Sequence, residues 1–481
     1  MTGFLEFVRV QWRVVPAPTR WVWCIAGIIT GAIAYDLLRM PIQVSDAIHE
    51  ILSSYHSSSA WASFMDILNN DAYLRPLRLA QIKAVFDLSG GHYSLAYRGF
   101  HVLLLFACMF LFVRTLRVRD WTGLVAGLFA LTVLTGGHTF QWFVKEAYPI
   151  NHFLEVAVFS LFTLNLSQSR GGWWIDGLAA ITFVVASLTL ESGLLVWVVA
   201  AASWLTGRRG ISTRGVGILT LLLAGYVVLR FAILSTGLPG LEERSAGYFL
   251  MRLDPPQLQE QFGANPAVFY GYNILASILS VLLAEPQGGV LNGMRAWLVN
   301  GRVPLHLIIA IVTSSLTSIL MLLAFVRAAR RRAFDDIGRA GFVFGIVLLA
   351  SAAMSYAYTK DEIMTTAGVF YALAAYAVIY DLLKRVDQMS LRRVGVVSLV
   401  LAVTASGWAI RSAGLHQLLR GQAFKQRNDW AKVPTLWKQE GIWPEDPGEQ
   451  RILERLRTDA LELQVPNPHF EPRWVPEVFG D

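Results

Sequence analysis

Two carboxylates one helical turn apart, Asp46 and Glu50, open the first long polar interval of this chain, Ser45 to His101. If SDAIHEIL is helical, Ser45 is its N-cap and both acids lie on one face. A carboxylate partly removed from water can take the proton of an attacking hydroxyl. The same acid can equally cap or solvate a helix start. The interval also carries Asp66, Asp71 and Asp87 and is too rich in Leu, Ile, Phe and Trp to be disordered. Asp71, Tyr73 and Arg75 read as braces, because Pro76 fixes the chain and Arg75 can pair with a loop carboxylate. His49, His56 and His92 lack metal-ligand spacing to another His or Cys, so zinc is weakly supported.

Further acids and bases stand at the ends of apolar runs. His138, Gln141, Lys145 and Glu146 follow one run, and Asn151, His152 and Glu155 open the next. Polar groups at the mouth of a span are costly to leave unpaired, so Glu155 is expected to have a pairing or functional role. Glu191 interrupts the apolar stretch Gly177 to Leu205. It is either a solvated hairpin tip or an acid holding an acceptor or a metal. Lys360 sits in a polar turn, where a cation can meet charge building on a phosphate leaving group. Arg244, Arg252 and Arg295 are further cations able to meet a lipid phosphate, though each also reads as ordinary surface charge.

The elements that must position these residues are membrane helices. With 54% hydrophobic and 16% charged residues in 481, and a mean hydropathy of +0.47, the chain is no ordinary soluble globule. Apolar windows predict eleven spans, near 20–38, 97–114, 120–136, 149–167, 174–190, 192–206, 216–235, 304–326, 340–357, 363–383 and 394–411. Residues 39–96 and 236–303 become large loops, 267–284 an interfacial or re-entrant element, and 412–481 a helical tail. Several spans are short, which implies a thinned bilayer or a cavity open to one face. The net charge of +7 comes from arginines clustered in alternate connections, as the positive-inside rule requires, so it does not indicate nucleic acid. Arg9, Arg13 and Arg20 flank a retained first helix, which puts the N-terminus in the cytoplasm and the tail in the periplasm. Cys24 and Cys108 fall inside spans and form no disulfide framework.

Asp71-Ala-Tyr73-Leu-Arg75-Pro76-Leu77, the run to Asp87-Leu-Ser-Gly-Gly, and Tyr93 with His101 eight residues on resemble the first extracytoplasmic loop of GT-C glycosyltransferases. The resemblance is to the branch of protein O-mannosyltransferases and transmembrane TPR-bearing glycosyltransferases. Ser94 and Tyr97 stand where that pattern has His and Asn, Phe140 where it has Glu, Leu190 where it has Lys, and Lys360 where it has Arg. Arg427-Asn428 with Trp430, then Leu436-Trp437, is similar to the family's entry to its TPR region, but the tail fits only about one helical pair, so a cap is expected instead. The resemblance implies an all-α polytopic membrane enzyme that transfers a sugar from a polyprenyl-phosphate donor to an acceptor hydroxyl at the periplasmic face of a bacterial inner membrane. It implies Asp46 as the catalytic base or acceptor-orienting acid. It implies Glu50, Asp71, Arg75, His101, His138 and Glu191 around the substrates, Lys360 on the donor phosphate, and a possible divalent metal for which no ligand set is assigned. An inactive scaffold of the same fold and a lipid or polysaccharide transporter are the alternatives. The polar groups gather at one face rather than at midplane, which argues against a transporter.

Overall fold

Backbone polar groups in hydrocarbon must bond within their own segment, and the long apolar runs of this chain accordingly fold as helices. The computed structural model describes residues 16–44, 46–70, 74–145, 148–234, 245–248, 253–331 and 335–480. Helix α1 (Ala17–Leu38) leads to the first polar interval, which forms α2 (Asp46–His56), α3 (Ala60–Asn70) and α4 (Pro76–Leu88). The chain returns through α5 (Tyr93–Leu116), and Arg117 ends that helix in the left-handed conformation at φ 50°. Helix α6 (Trp121–Gly136) starts on Asp120, whose carboxylate accepts from Gly123 N at 2.7 Å. Then come the short α7 (His138–Val144), α8 (His152–Ser167) and α9 (Trp173–Thr189). One 3-10 turn, Glu191–Leu194, reverses the chain into α10 (Leu195–Leu205). Helix α11 (Thr213–Val227) widens into π-helical turns over Val228–Ile233. The second polar interval holds α12 (Pro255–Phe262), α13 (Ala267–Leu283) and α14 (Val290–Asn300). Four longer helices follow, α15 (Leu305–Arg330), α16 (Asp336–Met354), α17 (Thr365–Lys384) and α18 (Leu391–Gln439), and then α19 (Pro447–Glu462) and α20 (Trp474–Phe479).

Hydrogen bonds between connections sort the helix termini into two ends. At the arginine-rich end Arg117 reaches Gln168 O, Gly210 N reaches Ser167 O, Arg339 reaches Thr206 O, and the Tyr380 hydroxyl reaches Asp120. At the other end Arg75 meets Glu191, His138 meets Asp361, and Asn273 donates to Tyr356 O. Among the described residues, seven helices are long and apolar enough to cross a membrane: α1, α5, α11 with its π turns, α15, α16, α17 and α18. Helices α6, α8, α9 and α10 are apolar but shorter. The outer faces of long and short helices alike expose Leu103, Phe106, Val125, Ile181, Leu221 and Leu322, a belt that water would not tolerate and lipid does. The chain is therefore an all-helical, polytopic membrane protein.

Helices α12 and α13 meet at 100°. The turn after α13 returns to the capped end, since Gly288 lies beside His138. Such a bend belongs to a broken span or to a re-entrant loop. Past residue 411, where the last span is expected to end, α18 continues without a break, 49 residues in all. Ser412 is level with the top of α6, where its hydroxyl meets Thr135 at 2.6 Å. The remaining 27 residues of α18 rise about 40 Å beyond it. The reason is an apolar stripe at helical spacing, Leu415, Leu419, Ala423, Trp430 and Val433, all buried. The Trp430 indole donates to Ile42 O at 2.7 Å, and Ile48 and Ile51 of α2 share a core with Ile452, Leu453 and Leu456 of α19. First interval and tail thus fold into one cap.

Candidate functional site

Helix α4 presents Arg75, Arg78 and Gln81 at intervals of three, and each side chain finds an acid or a phenol on another element. Arg75 Nε donates to Glu191 Oε2 at 2.6 Å. Arg78 donates to the Tyr148 hydroxyl and lies 3.4 Å from Glu50 Oε1, and Tyr148 donates to the same Glu50 oxygen. Gln81 Nε2 donates to Glu155 Oε1 at 3.1 Å, and the other oxygen of Glu155 meets His152 Nδ1 at 2.7 Å. Arg230, buried in the π-helical turns, brings Nη1 to 3.4 Å from Glu191 Oε1 and donates to the Tyr226 hydroxyl at 3.1 Å. One polar network thereby joins the cap, the Glu191 turn and the upper ends of α8 and α11.

The charges in this network are set by their neighbours. Burial works against the Arg78 charge, but Tyr148, Glu50 and Glu191 outweigh it and hold its pKa above the ordinary arginine value. Burial raises the Tyr148 phenol, against the pull of Arg78, so the hydroxyl keeps its proton for Glu50. Gly193 lets the Glu191 turn sit this low: a Cβ there would lie 2.0 Å from Ala186 O.

A second cluster lies at the same end. His138 Nε2 is 3.1 Å from Asp361 Oδ2, and the Tyr248 hydroxyl donates to Asp361 Oδ1 at 2.7 Å. Burial pushes the Asp361 pKa up, but His138, Tyr248 and Ser280 outweigh it and hold the carboxyl below its usual range. Lys360 beside it is exposed, its ammonium 5.0 Å from the Tyr358 ring centroid. The backbone braces this second cluster: Ala246 N donates to Ala357 O and Thr359 N to Ala246 O, both at 3.0 Å. Arg230 is within electrostatic reach of Tyr356.

The expected site residues fare differently. Glu50, Arg75 and Glu191 converge, and His138 and Lys360 lie in the adjoining cluster. Asp46 is exposed at the first turn of α2, one turn from Glu50. His101 is 1% exposed inside α5, against Arg98, whose guanidinium holds Met40 O and Pro41 O. Asp71, Ser45, Tyr73, Glu146, Arg244 and Arg252 lie outside the described residues. Among the described residues no group of three or more His, Cys, Asp or Glu side chains is placed to hold a metal ion.

Sequence reasoning passed over Arg78, Tyr148 and Arg230. The signal for Arg230 was present, a lone arginine inside the apolar run VVLRFAIL, where an ionisable residue indicates function or pairing. Arg78 was legible only as the second member of the three-residue spacing on α4. Tyr148 had no signal, since its role depends on two elements distant in sequence. No family model, no curated protein and no solved structure matches this chain.

Replacing Glu191 with Gln should leave two arginines facing a neutral amide. Each charged hydrogen bond lost is worth roughly 1.5–3 kcal/mol. In a double-mutant cycle of Arg75→Gln and Glu191→Gln, read by thermal unfolding in detergent, the double variant should be less destabilised than the sum of the singles. Strict additivity would mean that the pair carries no coupling. For Asp361, a folded pKa below the unfolded value gives stability that is present at neutral pH and is lost as acid titrates the carboxylate through its lowered pKa. The pH profile should therefore fall below about pH 4 in the wild type, and Asp361→Asn should remove that part of the fall.

Proposed function

We propose that this chain is a GT-C-like membrane glycosyltransferase that takes a sugar from a polyprenyl-phosphate donor at the capped end. The observation that carries the reading is the convergence of Glu50, Arg75 and Glu191, chosen from sequence, with Arg78 and Arg230 where the first interval meets the bundle. On this reading α6, α8, α9 and α10 cross with the seven long helices, giving eleven spans. Their short length, about 24 Å for 16 residues, thins the bilayer beside the site and brings a lipid phosphate within its reach. The arginine-rich end is cytoplasmic and the capped end periplasmic.

The acceptor oxygen attacks the anomeric carbon while the bond from that carbon to the phosphate oxygen breaks. The acceptor proton passes to Asp46, whose exposed carboxylate is free of the hydrogen bonds that occupy Glu50. The departing polyprenyl phosphate keeps the bonding electrons, and Lys360 meets its charge. Glu191 holds Arg75 and Arg230 in place rather than exchanging protons. One observation favours the scaffold alternative, namely that Glu50 and Glu191 are both already engaged by arginines.

Cysteines introduced for labelling test the orientation: reagent added from the periplasmic side should reach one near Trp437 and not one near Arg331. Labelling near Arg331 alone would invert the arrangement. Purified protein incubated with a panel of labelled polyprenyl-phosphate sugars should release polyprenyl phosphate. Asp46→Asn should lower that turnover about 10²–10⁴-fold while donor binding persists, and Glu50→Gln should cost far less. Release from no donor in the panel, with donor binding also absent, would favour the scaffold.

A further inference from the structure

Three arginines from three different connections converge at the end of the bundle opposite the proposed transfer site. Arg117 donates from Nη2 to Gln168 O at 2.5 Å, at the terminus of α8. Arg339, in the first turn of α16, donates from Nε to Thr206 O at 3.1 Å, at the terminus of α10. Arg208 lies between them in the turn from α10 to α11. That turn is fixed against α8, because Gly210 N donates to Ser167 O at 3.0 Å and a Cβ on Gly210 would lie 2.1 Å from Leu166 O.

Capping of helix C-termini explains one edge of Arg117 and one of Arg339. It does not explain Arg208, whose guanidinium has no carboxylate or carbonyl partner among the described residues. Burial first, and then Arg339 and Arg117, draw the Arg208 pKa down to about 10, so the three like charges act on one another. Arg119 and Arg114 add to the field at Arg117. The acid within reach is Asp336, 3.5 Å from Arg339 Nη1 and with a 97% exposed side chain. The depth of the cluster is marked by indoles. Trp21, Trp121 and Trp173 are exposed near the starts of α1, α6 and α9, at this same end, where amphipathic rings settle among lipid headgroups. Among the described residues the Arg208 guanidinium has no anion within bonding distance, and a phosphate diester supplies one with the geometry arginine bonds best.

We infer that Arg117, Arg208 and Arg339 form a binding site for the phosphate of an anionic phospholipid headgroup. The site stands on its own geometry and does not depend on sugar transfer at the other end. A free phosphate offers the same chemistry, so the experiment separates the two sources.

Native mass spectrometry of the detergent-purified protein, titrated with phosphatidylglycerol or phosphatidylcholine, should show tighter retention of the anionic lipid. Arg208→Gln should weaken that retention about fivefold, the value of roughly 1 kcal/mol for one cation at a lipid surface. Arg385→Gln should leave it unchanged, since Arg385 pairs with Asp381 on its own helix. Inorganic phosphate should not compete at millimolar concentration. Equal retention of both lipids, or equal retention by wild type and Arg208→Gln, overturns the inference, and full displacement by inorganic phosphate assigns the site to the free anion instead. If Arg339→Gln fails to fold because it uncaps α10, Arg208→Gln, which removes no bond to protein, still decides the matter.

Discussion

Glu191 is a carboxylate carried to the turn between two apolar helices and left with little access to water. A charge in that position is tolerated only if cations meet it with good geometry. Here they come from two elements: Arg75 from the cap, at the start of α4, and Arg230 from inside the π-helical turns that extend α11. Each arginine has the same need of Glu191 that Glu191 has of them. Cap, hairpin and α11 are thus bound by mutual desolvation, and removing any one charge leaves the others exposed to its cost. Arg78 extends the same logic to Glu50 and Tyr148. The geometry of the whole capped end follows from where these charges had to meet.

The second organising constraint is the length of α18. A helix that crosses the bilayer and continues about 40 Å past it needs a surface to bury its stripe against, and the first interval provides one. Trp430 against Ile42 and the shared core of α2 and α19 make the N-terminal and C-terminal parts of the chain one extramembrane body. Asp36, buried near the top of α1, is joined to His416 at 2.6 Å and to Arg420 at 3.7 Å, which fastens the base of this body to the membrane. The cap therefore holds α4, with its three polar side chains, at a fixed height over the bundle.

The opposite end obeys a different rule. Three of its helices, α6, α11 and α16, start on the side-chain caps Asp120, Ser212 and Asp335, and its connections carry mostly arginine. There Arg117 and Arg339 bond to helix termini, and Arg339 and Arg385 meet acids three and four residues away in sequence. The two ends thus differ in chemistry as well as in shape: one pairs opposite charges under a cap, and the other gathers like charges at the level of the headgroups.

The sequence by itself determined the helical membrane class, the position of every apolar helix and the grouping of the arginines, because each depends on composition within a window of about 20 residues. It also marked Glu50, Arg75 and Glu191, since a charge at the edge of an apolar run stands out locally. Which acid meets which arginine was decided only by tertiary structure: Arg75 and Glu191 are 116 positions apart, and nothing local to either selects the other. The same holds for Tyr148, a tyrosine made polar machinery by Arg78 and Glu50, and for the burial of His101 against Arg98. That the helix of the last span does not stop at 411 has a related reason. Hydropathy ends a span where polarity begins, but a helix continues as long as another part of the chain covers its apolar stripe.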